Sequence, residues 1–320
     1  MSLGIEAIPY DATAATEWND TVHRSRNGTF LHNRGFMDYH ADRFTDASLL
    51  VRRAGNKAPV AVFPANRAGT TLYSHGGLTY GGLLSTVELG LSAHLEAFSR
   101  IREYCLQSGI ERIIYKAVPR VFHKMPCEED LYALSQLGAR ILYREASSVL
   151  PLQTRLAYAK GRKWSISKAR KAGVRVEEET ALDEFHACLR EALARHGVTP
   201  VHSVTELELL RSRFPQLVRI FSARLDAELV AGVLVFDFGH VVHTQYMAAS
   251  EHGKTIGALD LIIDTLAGSI FLDRHALSFG ISTTCHGQLL NAGLVAQKES
   301  FGARCVVHDT YEWLLTQEAR

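Results

Sequence analysis

The side chains able to do chemistry fall into a few local groupings. A helix through Arg155 to Arg175 would set Lys160, Trp164, Lys168, Lys171 and Arg175 on one stripe, at spacings of four, four, three and four. That segment holds eight basic residues and no acidic one, so the stripe could meet an anion; a solvated helix face is the plainer alternative and a phosphate-rich ligand the sharper one. His75-Gly-Gly-Leu-Thr-Tyr80-Gly-Gly places four glycines, a histidine and a tyrosine in eight residues, which lets backbone approach a ligand closely or makes a tight, packed turn. Gly253-Lys-Thr255 suggests a phosphate loop, but that motif needs a glycine where Ala248 stands, so nucleoside triphosphate hydrolysis is excluded. Cys285-His286 and Cys305-x-x-His308 together offer four soft ligands, yet neither pair has zinc-finger spacing, and no metal site is expected. His240-x-x-His243 on a strand would point its rings to opposite faces.

These residues need elements to position them. The chain has 320 residues, 47% hydrophobic and 22% charged, with 8 prolines and a mean hydropathy of −0.03, which excludes disordered and low-complexity classes and makes two domains the expectation. No apolar run is long enough to cross a bilayer, Met1-Ser-Leu-Gly-Ile lacks the order of a secretory signal, and five scattered cysteines read as reduced thiols, so a cytoplasmic location is expected. Formal charge is +1, but the basic segment hides a remainder of −7.

Alternation predicts strands near 47–53, 58–64 and 70–74 as a meander, then the glycine-rich loop, a helix near 87–108 closed by Gly109, a strand at 111–116, a helix near 128–137 and a strand near 139–149. Strands near 217–224, 228–237 and 240–248, a loop at 251–258, a helix at 258–271, a strand at 277–281, a short helix and a strand at 303–309 repeat that order, with offsets of 164 to 170 residues. Near-constant offsets predict two tandem α/β units with mixed sheets, residues 1–152 and 153–320, joined by the basic helical stretch.

A meander, a loop feeding a helix and a βαβ ending is an order that resembles the GNAT acyltransferase fold. Two such units joined by Lys160-Gly-Arg-Lys-Trp-Ser-Ile-Ser-Lys-Ala-Arg-Lys-Ala-Gly-Val-Arg175 resemble FemAB-type transferases and the related GNAT-like proteins of polysaccharide and natural-product gene sets. Phe279-Gly-Ile-Ser282 and Leu290-Asn-Ala-Gly-Leu-Val-Ala-Gln-Lys-Glu-Ser-Phe-Gly-Ala-Arg304 are similar to further segments of that family. The resemblance implies transfer of an acyl group from acyl-CoA, or from aminoacyl-tRNA, to an amine of a sugar, amino acid or peptide. Both donors are phosphate-bearing co-substrates, and no tightly bound cofactor is implied. The chain departs from the CoA-binding pattern at Ser250-Glu-His-Gly-Lys-Thr-Ile-Gly-Ala-Leu259, which fits neither register of the family's Arg/Gln-x-x-Gly-x-Gly/Ala; this opens an aminoacyl-tRNA donor and a non-catalytic binding module as alternatives.

Within that resemblance, Gly253, Lys254, Gly257 and Ala258 are expected to meet the donor phosphates at a helix start, with Lys168 and Lys171 beside them. Acyl transfer needs a deprotonated amine, a stabilised oxyanion and a proton for the leaving group. His243 could accept a proton and Tyr246 donate one, and on a regular strand the two face opposite ways, so only one can face the site. Lys298 stands where the resemblance places a functional lysine. His75, Tyr80, Lys116 and His123 are implied for acceptor binding, with Ser282, at a strand end, a ligand contact or a helix cap.

Overall fold

A computed structural model describes residues 3–179, 182–195 and 197–316. They form two compact units, Met1–Glu145 with Val307–Arg320, and Ala146–Val306.

Unit 1 begins with β1 (Ile5–Pro9), α1 (Ala15–Arg24) and the single turn α2 (Arg34–Met37). Short strands follow: β2 (Thr45–Asp46), β3 (Leu49–Arg53), β4 (Ala61–Phe63), β5 (Asn66–Ala68), β6 (Thr71–Tyr73) and β7 (Leu84–Ser85). Then come α3 (Leu91–Gln107), β8 (Arg112–Lys116), α4 (Glu129–Gln136) and β9 (Arg140–Pro151). Helix α3 forms because Ala93, Ala97, Phe98, Ile101 and Cys105 recur at three- and four-residue spacing and bury one stripe. Gly109, at φ +69°, stops it.

The expected meander is split. β3 and β4 pair antiparallel in a sheet ordered β1-β3-β4-β7, but β6 pairs with β5 and lies parallel to β8 in the other sheet. Pro64, which has no N–H for a ladder, separates β4 from β5.

Unit 2 contains α5 (Lys160–Lys171), β10 (Arg175–Glu179), α6 (Asp183–Ala194), α7 (Val204–Arg213), β11 (Val218–Leu225), β12 (Glu228–Asp237) and β13 (Val241–Ala249). The expected loop at 251–258 is instead the short helix α8 (Glu251–Ile256), because the Ser250 hydroxyl accepts from the Gly253 N–H and caps a turn. After α9 (Ala258–Thr265) come β14 (Ala276–Ile281), a hairpin of β15 (Thr283–Thr284) and β16 (Leu289–Leu290), α10 (Ala292–Glu299) and β17 (Arg304–Leu314). Eight successive residues of β12, Val230 to Asp237, are buried, as a strand covered on both faces must be.

The sheet of unit 2 runs β10-β11-β12-β13-β14-β9 and is antiparallel except where β13 lies parallel to β14. Its last strand comes from the first half of the sequence: Val149, Leu150 and Pro151 of β9 pair with Ser278, Leu277 and Ala276. In unit 1, β17 from the end of the chain pairs with β8, from Thr310↔Lys116 to Leu314↔Arg112. The chain therefore passes between units twice, inside β9 and inside β17, and the expected division at 152 lies just past the first crossing. The architecture is α/β, two tandem GNAT-like units with mixed sheets, each finished by the closing strand of the other half. Each unit has its own core, around Leu49, Phe63, Phe98, Tyr115 and Trp313 in unit 1 and around Phe221, Val233, Ile262, Phe271 and Leu277 in unit 2. Among the described residues no helix is long and apolar enough to cross a membrane.

Candidate active site

Two irregularities in unit 2 open its sheet. β13 and β14 pair only from Val241↔Ala276 to His243↔Ser278, and beyond that point the parallel strands part. On its other side β13 carries a bulge: Thr244 faces Val235 and Tyr246 faces Leu234, so Gln245 is the extra residue. The wedge where the strands part is an apolar slot lined by Met247, Leu259, Ile263, Phe279, Leu294 and Phe301, with Gln297 and Lys298 at its polar end. Met247, Leu259, Leu294 and Gln297 also line a larger cavity of about 480 Å³, whose walls include Arg162, Arg195, Gly253, Lys254, Gly257 and Asp260. An apolar slot thus continues into a wider, charged chamber.

Three cations line that chamber, and they meet two carboxylates. Arg162 pairs with Asp260, and Arg195 and Lys254 share Glu251, the lysine at 2.9 Å. The wall carries excess positive charge, and the Glu251 side chain is 73% exposed, so an incoming phosphate can displace it at little cost. Arg162 also lies over the Phe301 ring at 4.3 Å and donates to the Ser300 hydroxyl at 3.0 Å, which fixes its direction.

Lys298 projects from α10 and is only 3% exposed. Its Nζ donates to the Gly280 carbonyl at 2.8 Å, the Ile281 carbonyl at 3.0 Å and the Ser282 hydroxyl at 2.7 Å. No carboxylate is among these partners, and burial pulls its pKa down to about 8. Ser282 is therefore not a helix cap. Asn291 caps α10 by accepting from the Leu294 N–H, while Ser282 holds the lysine.

His243 and Tyr246 do not face opposite ways. The bulge at Gln245 brings both to the side of Phe236 and Leu234, away from Met247 and the slot. Tyr246 shares a 2.6 Å hydrogen bond with His202 Nδ1, and His243 Nδ1 lies 3.1 Å from the Ser278 hydroxyl; neither residue lines the chamber or the slot.

The two donor-loop glycines are also demanded by packing. A Cβ on Gly253 would lie 1.9 Å from the Val230 carbonyl oxygen, and Gly257, at φ +80°, sits where a Cβ would come within 2.3 Å of Ser165 Oγ on α5. Ala258 is fully buried. Lys168 donates to the Thr255 carbonyl at 2.8 Å, closing the end of α8, and Lys171 is exposed. Neither lysine lines the chamber. Arg162 and Arg195 do, and the sequence reading missed them: Arg162 lies off the stripe, and Arg195 follows α6, which no motif announced.

In unit 1, two of the residues implied for acceptor binding, His75 and Tyr80, are buried, and Lys116 and His123 are half-buried. Tyr80 stacks on Phe122 with ring centres 4.8 Å apart, and burial pushes its hydroxyl far up. His75, at φ +54°, packs against His40 and Phe44, and burial pulls its pKa down to about 3. Lys116 Nζ reaches the Leu78 carbonyl at 3.4 Å, and His123 Nε2 the Val118 carbonyl at 2.9 Å. A Cβ on Gly81 would lie 2.1 Å from the Ser74 carbonyl oxygen, so here the glycine lets the chain approach itself. Cys285 and Cys305 are exposed thiols.

Residues 159–284 match the acetyltransferase (GNAT) domain family. No curated protein matches the chain. Among solved structures, FemX superposes with a TM-score of 0.68 at 12% identity, covering 97% of both chains. The L-PGS of Bacillus licheniformis gives 0.63 at 14% identity over 99% of this chain and 95% of its own. A tandem GNAT protein from the clavulanic acid biosynthesis pathway gives 0.51 at 12% identity over 99% of each. The chain thus has the two-unit fold that FemX and the tandem GNAT protein share, and residues 159–284 of its second unit are similar to the acetyltransferase (GNAT) domain.

Proposed function

We propose that the chain is an N-acyltransferase that holds a phosphate-bearing acyl donor, acyl-CoA in the first instance, in the unit 2 chamber and passes its acyl group to an amine of a sugar, amino acid or peptide. The observation that carries this reading is the continuity of the chamber, ringed by Arg162, Arg195 and Lys254, with an apolar slot ending at Lys298. Phosphates suit the cations, and the apolar slot, which admits only about 10 Å³, must widen for an acyl arm to enter it. Where β13 and β14 part, the stretch 244–249 has no partner strand on the facing side among the described residues, so an amide-bearing arm can pair along it as an added strand does.

In the reaction the amine nitrogen attacks the acyl carbonyl carbon. A C–N bond forms, the thioester C–S bond breaks, and the proton lost by the amine ends on the leaving thiol. Negative charge gathers on the carbonyl oxygen in between, and the positive charge of Lys298 at the slot's polar end would offset it through space, its N–H donors being held by Gly280, Ile281 and Ser282. His243 and Tyr246 take supporting roles here, through Ser278 and His202. Incubation with labelled acetyl-CoA and a panel of amines tests the reading. Donor-dependent amide formation that Lys298→Met abolishes supports it, and full activity in that variant overturns the site.

A second donor, aminoacyl-tRNA, is favoured by one separate feature. Trp164 is 66% exposed on α5, on the face that carries exposed Lys160 and Lys171. An aromatic ring among cations suits a nucleic acid backbone with a stacked base. Charge reversal at Lys160 and Lys171 would then weaken tRNA binding and flatten its salt dependence, and an unchanged salt slope would remove this donor.

A further inference from the structure

Unit 1 buries three side chains whose ligand atoms lie within 4.8 Å of one another: His94 on α3, Cys127 before α4 and Glu129 on α4. His94 is fully buried, and Cys127 is 2% exposed. The His94 Nδ1 lies 3.1 Å from the Gly90 carbonyl, which only accepts, so Nδ1 carries the proton and Nε2 presents its lone pair. That lone pair meets the Ser85 hydroxyl at 2.8 Å. The Glu129 carboxylate is fixed by Arg26, whose Nη1 donates to Oε1 at 2.8 Å and to the Pro126 carbonyl at 2.8 Å. Its other oxygen, Oε2, is buried, and the Cys127 thiol faces this carboxylate within hydrogen-bonding reach.

We propose that His94 Nε2, Cys127 Sγ and Glu129 Oε2 form a zinc site in unit 1, with the Ser85 hydroxyl or a water in the fourth position. Imidazole, thiolate and carboxylate are the donors zinc takes, and a histidine whose second ring nitrogen is tied to a backbone carbonyl is the usual metal-binding arrangement. With bonds of about 2.0–2.3 Å, ligand atoms of a tetrahedral zinc lie about 3.5 Å apart, so the three need to close by about 1 Å. Binding replaces the thiol S–H by S–Zn and releases that proton to solvent. Thiolate and carboxylate then balance the two charges of the ion, while Arg26 stays on the outer carboxylate oxygen. The metal takes the place of the thiol proton between Cys127 and the Glu129 carboxylate, and α3, α4 and the segment between them are tied at one point. The expectation of no metal, drawn from Cys285, His286, Cys305 and His308, concerned other residues.

The full-length protein, stripped with chelator and dialysed, is titrated with Co2+ and then Zn2+. The proposal expects one equivalent of Co2+ bound with an intense thiolate-to-metal absorption band, displaced by Zn2+, and a melting transition raised by the metal. Cys127→Ser should lose the band and His94→Gln should bind at least about ten-fold more weakly, while Cys105→Ser, a buried cysteine outside the cluster, keeps both. Should Cys127→Ser fail to fold, Glu129→Gln, which keeps the thiolate, should bind Co2+ at least about ten-fold more weakly than wild type, and unchanged affinity in it overturns the site. No saturable Co2+ binding to the wild-type protein, or a band that survives Cys127→Ser, overturns the site.

Discussion

Lys298 illustrates how much a residue's meaning depends on what it touches. Its three donors are all used by the end of β14, so it both shapes the slot and charges it. Lys298→Met should lower kcat by about 10²-fold or more with donor affinity little changed, because a charge needed only as the oxyanion forms acts on the transition state. Its titration supplies a second test. Folding pulls its pKa from 10.5 to about 8, so between those values the unfolded chain binds a proton the folded one gives up, and stability from this group rises with pH across that window. The rise should appear in the wild-type melting curve and be absent in Lys298→Met. Tyr246→Phe, by contrast, should cost about 1 kcal/mol through the lost bond to His202 and leave donor binding unchanged; loss of donor binding would return Tyr246 to the chamber. Lys298 and Ser282 could be picked out from the sequence through motif and strand position, but their mutual contact could not. Nor could the shared face of His243 and Tyr246, since one inserted residue at Gln245 leaves no mark on the alternation that a strand shows.

Among the elements, α8 and α9 depend on two close approaches, one to β12 and one to α5. Gly257→Ala should destabilise unit 2 by about 1–2 kcal/mol from its left-handed backbone alone, with the contact to Ser165 adding to that. Ser165→Gly should recover the steric part only, a split that thermal melts of the single and double variants resolve. The long periodic elements were legible: α3, the basic helix and strands β11 to β13 lie within a few residues of their expected places. Helix α8 was not, although its Ser250 cap and Glu251 were present, because two glycines and a Gly-Lys-Thr run read as a loop. The split of the first meander was missed for a related reason: Pro64 sits at the end of an expected strand, and nothing local tells which sheet the chain joins after it.

For the whole molecule, the expected repeat survives in the closing part of each half, α3-β8-α4-β9 and α9-β14-α10-β17 apart from the β15–β16 hairpin, and the exchange of β9 and β17 was invisible because local pattern specifies a strand and not its partner. The buried polar interior of unit 1 has a consequence for acid stability. Burial pulls His32 and His308 to about 4 and His75 to about 3, so acidification from about 6.5 makes the unfolded chain bind protons these rings refuse, and stability falls. Asp130, pushed up to about 6 by burial, acts the other way between about 4 and 6, one group against three. A melting temperature that falls steadily from pH 6.5 to pH 4 is the expected result, and one that holds level would contradict it.

The central claim is that the unit 2 chamber takes a phosphate-bearing acyl donor, and a thermal-shift titration with CoA and acetyl-CoA tests it most directly. A ligand at one hundred times its dissociation constant adds about 2.7 kcal/mol to the stability of the unit that binds it. The account predicts a saturable rise with both compounds that needs at least about ten-fold more ligand in an Arg195→Glu, Lys254→Glu variant. No shift at millimolar concentration of either compound, or a shift unaltered in that variant, would contradict it.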